Sequence, residues 1–265
     1  QAIIIGTTSV DFDSEIAGGG YDLTITSPIT GFHGDVTGVG TLTTDAAGVT
    51  TIDTAAVTGV VLDFNDAVVI DQATTLTGTT SVDFGGTVDS AALENNNLTV
   101  NSPLTGFHGI VGGLVAGGPL SLGTLTTDGA GTTTIDTTAV TGAVLDFNDP
   151  VVVDQSTTLT GTTSVDFAAS VDSAVTERND LTVNSPLTTF NGNVGTVLNG
   201  ELGALTTDLA GTTFLNAPFF ETAGGTVTFN DAVVLNQDVT ITDSGGTGVF
   251  FFGTVDGDGN LLQQW

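Results

Sequence analysis

Apolar and polar residues alternate along most of the chain. In TTLTGTTSVDF at 74–84, and again at 157–167, Leu, Val and Phe take alternate places while Thr, Ser and Asp stand between them. A period of two marks a strand, because successive side chains point to opposite faces. Clusters of Gly, Asn and Asp separate the alternating runs, where turns need positive φ or a side-chain bond to the backbone. The pattern predicts short strands joined by tight turns throughout, with essentially no long helix.

The strands belong to a repeat. VLDFND at 61–66 returns at 144–149 and, shortened to VTFND, at 227–231. LTITSPITGFHG at 23–34 returns as LTVNSPLTGFHG at 98–109 and LTVNSPLTTFNG at 181–192. LTTDAAGVTTID at 42–53 has its counterparts at 125–136 and 205–216. Phe64 to Phe147 and Phe84 to Phe167 are both 83 residues, so the long repeats fall at about 1–72, 73–155 and 156–237, with a remainder at 238–265. Each divides again: taking Leu76, Leu98, Leu125, Val144 and Leu159 as successive starts gives intervals of 22, 27, 19 and 15. The mean, roughly 21, is the length of one coil of a β-solenoid. The expectation is a single domain over 1–265, all-β, a parallel β-helix of about 13 coils with strands about 4.8 Å apart. Equivalent residues should face the same internal slot, so that Val82 and Phe84 solve the packing problem that Val165 and Phe167 solve again.

Composition agrees with this and narrows the function. Hydrophobic residues make up 39% of the chain, enough for a substantial core, and 37 Gly beside abundant Thr and Val disfavour helices. Thirty acidic residues face one basic residue, Arg178, for a net charge of -29. Nucleic acid and anionic membrane surfaces repel such a chain, whereas cations or a salty exterior suit it. No Cys is present, which removes disulfides, thiolate metal sites and Cys nucleophiles together. No apolar run approaches the roughly 18 residues of a membrane span, so membrane insertion is not expected. The first thirty residues have no basic stretch of the signal-peptide kind, and the sequence opens on Gln1, as a processed protein or a piece of a longer one would.

LTVNSPLTGFHG, LTTDGAGTTTIDTTAVTG and DFNDPVVVDQSTTLTG resemble the repeats of filamentous-haemagglutinin-like and autotransporter-type adhesins, which are bacterial surface proteins. The resemblance covers almost the whole chain. It implies a right-handed β-helix serving as an exported stalk, hence a secreted or cell-surface location and a structural role.

Candidate chemistry is sparse. Lyases of acidic sugars need cationic groups, and hydrolases of this fold gather aromatic residues at a cleft, yet Tyr21 and Trp265 lie at opposite ends of the sequence. No catalytic activity is expected. His33 and His108 occupy the same place in GFHG, where the third copy has Asn191, and read as polar turn residues about four coils apart. Asp66, Asp149 and Asp231 of the FND phrase, Asp45, Asp128 and Asp208 of LTTD, and Asp256 and Asp258 of DGDGN are the carboxylates that Ca²⁺ would use, since that ion takes six or more oxygens. In DGDGN, Leu261 stands where a calcium loop needs Gly, which favours a plain turn. Recurrent Thr-X-Thr triplets read as ordinary outward strand residues, because Asp63, Asp146, Asn101 and Asn184 interrupt any flat ice-binding face. No cofactor is required, with Ca²⁺ the one candidate.

VFFF at 249–252 cannot place all its rings inside, and AIII at 2–5 is equally apolar. Ile3, Ile4 and Ile5 with Phe250, Phe251, Phe252 and Trp265 are therefore expected at contacts between ends, buried by further coils or by end-to-end self-association. The sequence reads as a shaft or fibre subunit, with a calcium-dependent carbohydrate- or surface-binding module as the alternative.

Overall fold

The computed structural model describes residues 1–115, 118–119 and 121–265, and no helix occurs among them. Parallel strands stack into a β-solenoid of about 13 turns in all. The chain forms two compact units, Gln1–Thr133 and Thr134–Trp265.

In the first unit each turn has three sides. Side one is built from Ala2–Ile5, Leu23–Thr26, the later halves of Val36–Thr44, Ala56–Phe64 and Thr74–Phe84, and then Leu104–Phe107. Side two stacks Val10–Phe12, Ile29–Phe32, Val49–Ile52, Ala67–Ile70 and Val88–Ser90. Side three stacks Ile16–Ala17, the earlier halves of the three long strands, Leu98–Asn101 and Leu122–Thr127. A long strand serves two sides because it bends at a glycine: the register shifts between Gly78 and Ser81, and a Cβ on Gly78 would lie 2.2 Å from the Ser81 carbonyl oxygen. A short antiparallel pair, Leu114–Val115 with Gly118–Pro119, departs from the parallel scheme.

The second unit follows the same plan. One side runs through the later halves of Ala139–Phe147 and Thr157–Phe167 to Leu187–Phe190, Thr212–Leu215, Ala232–Leu235 and Val255–Asp256. Another runs through their earlier halves to Leu181–Asn184, Leu205–Thr207, Val227–Phe229 and Val249–Phe251. The third holds Val151–Val153 and Val171–Ser173, then, through a single bridge at Val194, Phe219–Thr222, Val239–Asp243 and Leu262–Gln264.

The expected alternation holds inside each wall. In Thr74–Phe84 the buried residues include Leu76, Val82 and Phe84, with Thr75, Thr77 and Asp83 between them at the surface. Phe84 stacks between Phe64 and Phe107 at 5.6 and 5.2 Å, and Phe167 stacks between Phe147 and Phe190 at 5.6 and 5.0 Å. Beyond the area buried, each ring pair contributes about 0.5–1.5 kcal/mol.

Two expectations need correction. The chosen coil starts are not equivalent rungs: Leu76 pairs with Val100, Leu98 with Thr74 and Leu125, and Leu159 with Val140, whereas Val144 pairs with Ser164 on another side. The interval of 15 thus measures a step between sides, not a turn. The recurring phrases also do not return to the same side. LTITSPITGFHG occupies sides one and two, and LTVNSPLTGFHG occupies sides three and one. Between Leu23–Thr26 and Leu98–Asn101 the chain turns eleven corners, three full turns and two further sides. The second unit repeats the behaviour, with VLDFND at 144–149 and VTFND at 227–231 on different sides. Local packing recurs while its orientation advances.

Candidate functional site

The FND carboxylates point inward. Asp66 is 2% exposed, and both its oxygens accept hydroxyl bonds: Oδ1 from Thr44 at 2.6 Å, Oδ2 from Thr50 at 2.8 Å. Asp231 is held the same way by Thr207 at 2.7 Å and Thr213 at 2.8 Å. Asp149 stands at the same place in the intervening copy and is fully buried. Burial pushes the Asp66 pKa above 3.8, with Asp45 adding to the rise and the two hydroxyls opposing it. These side chains turn inward at the bend that follows each strand and do not face solvent.

The LTTD carboxylates are corner staples. Asp45, Asp128 and Asp208 accept the backbone N–H of Ser27, Ser102 and Ser185 at 3.1, 3.0 and 3.1 Å. Each serine hydroxyl donates two residues on, Ser27 to the Ile29 carbonyl at 2.7 Å. SPxT and LTTD recur together because they clasp across neighbouring turns.

The histidines belong to outward polar ladders. His33 lies 3.2 Å from Asp53 and 4.0 Å from Asp11, and His108 lies 3.1 Å from Asp83. They sit at the ends of strands on sides two and one, so they share no site. In the second unit the ladder is amide: the Asn216 side chain donates to Asn191 at 2.7 Å and Asn236 donates to Asn216 at 2.6 Å. Asp256 accepts the Asp258 N–H in a local turn, and both carboxylates are exposed. Among the described residues no three His, Asp or Glu groups converge on a point that could hold a metal ion.

The end residues are exposed as the alternation requires. Ile3 and Ile5 face water and Ile4 is half-buried. Phe250 and Phe252 point outward, while Phe251 turns in and stacks on Phe229 at 5.2 Å. Trp265 is 75% exposed beside a cleft of about 280 Å³ lined by Asp243, Gly246, Gly248, Val249 and Gln264. Burial works against ionisation of Asp243, yet bonds from the Gly248 and Gly245 N–H groups and from Thr247 outweigh it and hold its pKa below 3.8.

A recurring set of inward threonines was missed in the sequence. Thr30 of side two is buried with no hydroxyl partner in the protein, and Thr105 and Thr188, its counterparts in the other copies, are the same. Alternation carried two residues on from Leu42 and two back from Ile52 reveals Thr44 and Thr50 as inward too.

In comparisons with known proteins, the chain matches no family model, no curated protein and no solved structure.

Proposed function

We propose that this chain is a structural protein, an extracellular shaft or fibre subunit of a bacterial surface adhesin or coat, with no catalytic activity. The observation that carries this reading is the advance of the long repeat around the solenoid. A catalytic groove, an ice-binding face or a periodic receptor site needs its groups collected on one side. Here the outward groups of one copy and the next stand on different sides, in each unit taken by itself. What the copies hold constant is the cohesion of the wall: ring stacks, corner staples and buried carboxylate clamps. The acidic exterior keeps neighbouring copies from clumping sideways, and the apolar end turns favour continuation along the axis, by further coils or by a second copy.

Negative-stain microscopy of the concentrated protein tests this. The expected objects lengthen without widening. A stable single particle with both apolar end turns in water at high concentration overturns the end contact, and turnover of any polysaccharide overturns the structural reading. Melting with and without Ca²⁺ separates the calcium-dependent carbohydrate- or surface-binding alternative, because a bound ion raises the midpoint beyond its effect as salt.

A further inference from the structure

Where a rung carries Gly-Phe-His, the glycine stands in register with an aspartate of the preceding turn: Gly31 with Asp11, and Gly106 with Asp83. A Cβ on Gly31 would lie 2.6 Å from Asp11 Oδ1 and 3.0 Å from His33 Nε2; on Gly106 it would lie 2.2 Å from Asp83 Oδ1 and 3.1 Å from His108 Nε2. The missing side chain is what lets each imidazole fold back across its own strand toward that carboxylate. The third copy keeps the acid, Asp166, and changes both of its partners together. Thr189 stands in the glycine's place and hydrogen-bonds the carboxylate, and the Asn191 amide donates to it at 3.3 Å. Gly with His and Thr with Asn are two solutions for one carboxylate, and only the first can change its charge near neutral pH.

His33 meets a second acid. Its Nδ1 lies 3.2 Å from Asp53 of the following turn, while its Nε2 faces Asp11 at 4.0 Å. A neutral imidazole donates from one nitrogen and turns a lone pair on whatever faces the other, whereas the imidazolium donates from both. Acids at both nitrogens therefore suit the charged ring. The remaining ionisable groups nearby are acids too: Asp13 follows the strand below, Asp35 lies two residues on and is bonded to Thr54, and Asp71 stands on the rung beyond Asp53.

We propose that the Gly-Phe-His sites are acid-closed clips: on protonation His33 ties three successive turns together, from Asp11 to Asp53, and His108 tightens on Asp83. The folded wall holds the charged ring, so the added stability is present at low pH and lost as pH rises. The Thr-Asn site of the second unit has no such response.

Amide hydrogen exchange read by NMR supplies its own control. The His33 and Asp53 N–H groups donate to the Phe12 and Phe32 carbonyls at 3.0 and 2.8 Å, and the Asn191 and Asn216 N–H groups donate to Phe167 and Phe190 at 2.8 and 2.9 Å. Protection factors, corrected for the intrinsic pH dependence of exchange, are compared at about pH 8 and about pH 5.5, which bracket the imidazole's change of charge. The protection of the first pair relative to the second is expected to rise about two- to fivefold in acid, the range of an exposed ion pair. Gly31→Thr combined with His33→Asn copies the third site and should abolish the rise. Asp53→Asn, which removes one acid and leaves the ring, should shrink it. A relative protection indifferent to pH in the wild type, or a rise undiminished in either variant, overturns the proposal.

Discussion

The clearest perturbation is one isosteric change made on two adjoining rungs. Thr30 and Thr50 are register partners on side two, both fully buried, and each replaced by Val loses only a hydroxyl. Thr30 has no partner, so its hydroxyl was stripped of water without compensation, which costs about 1–3 kcal/mol. Val already fits that slot one rung away, where Val10 pairs with Thr30. Thr30→Val is therefore expected to stabilise the protein by about 1 kcal/mol or more. Thr50 donates to the buried Asp66 carboxylate, and hydrogen bonds to charged groups contribute about 1.5–3 kcal/mol. Thr50→Val should destabilise by that amount and leave Thr44 as the one hydroxyl bonded to Asp66. The second unit offers an independent pair, Thr188 without a partner beside Thr213 bound to Asp231. Urea titrations followed by circular dichroism at neutral pH give the midpoints, compared at constant slope so that a change in the unfolded state is not mistaken for stability. Opposite signs at neighbouring rungs are the expected result. A loss of stability in Thr30→Val, or none in Thr50→Val, refutes the assignment of which hydroxyl is satisfied.

Three further outcomes are expected. Burial is the leading cause that raises Asp66, Asp71, Asp89 and Asp166 above 3.8, so their contribution is fully present below the unfolded value and is lost as pH rises through the folded ones; Asp243, lowered, acts in the opposite sense. Melting points should accordingly rise as pH falls through the raised folded values toward 3.8, less steeply in Asp66→Asn, and a fall over that range contradicts the balance. Phe84→Ala should cost about 3–5 kcal/mol in urea, because it opens a cavity between Phe64 and Phe107, while the half-exposed Phe250→Ala should cost under about 1 kcal/mol. With a net charge of -29, added NaCl should raise the melting point by screening self-repulsion, and indifference to salt at neutral pH counts against that.

Much of this architecture is legible in the residues because strands report burial at every second position. Leu76, Val82 and Phe84 read as inward from alternation alone, and all three are buried. The interior threonines are easier to miss, for a physical reason. Thr has the shape of Val and the chemistry of Ser, so only the alternation counted from Leu42 separates Thr43 outside from Thr44 inside in LTTD, and it does not show what Thr44 bonds to. That partner, Asp66, lies 22 residues away and appears in the sequence as a turn carboxylate. A buried carboxylate becomes tenable only when the two hydroxyls flanking the corner of the preceding turn reach it, and that is a property of the register between turns.

The side on which a phrase stands is harder still to read. Alternation fixes in or out, and a turn cluster fixes a corner, but nothing within Ile29–Phe32 says whether the chain has turned ten corners or eleven before the phrase recurs. Corners hidden inside long strands make the count fail: Thr74–Phe84 reads as one strand and occupies two sides, because Gly78 bends it without ending it. Coils of about 21 residues follow from arithmetic on the sequence, while the backbone divides the 75 residues from Leu23 to Leu98 into eleven sides. Three does not divide eleven, so each copy is rotated by one side relative to its predecessor within a unit. A chain under pressure to build a receptor face would gain by inserting or deleting one side to bring the copies into line. This chain keeps the stacking of Phe64, Phe84 and Phe107 and lets the outward groups drift, which is the behaviour of a wall whose cohesion matters more than its facing.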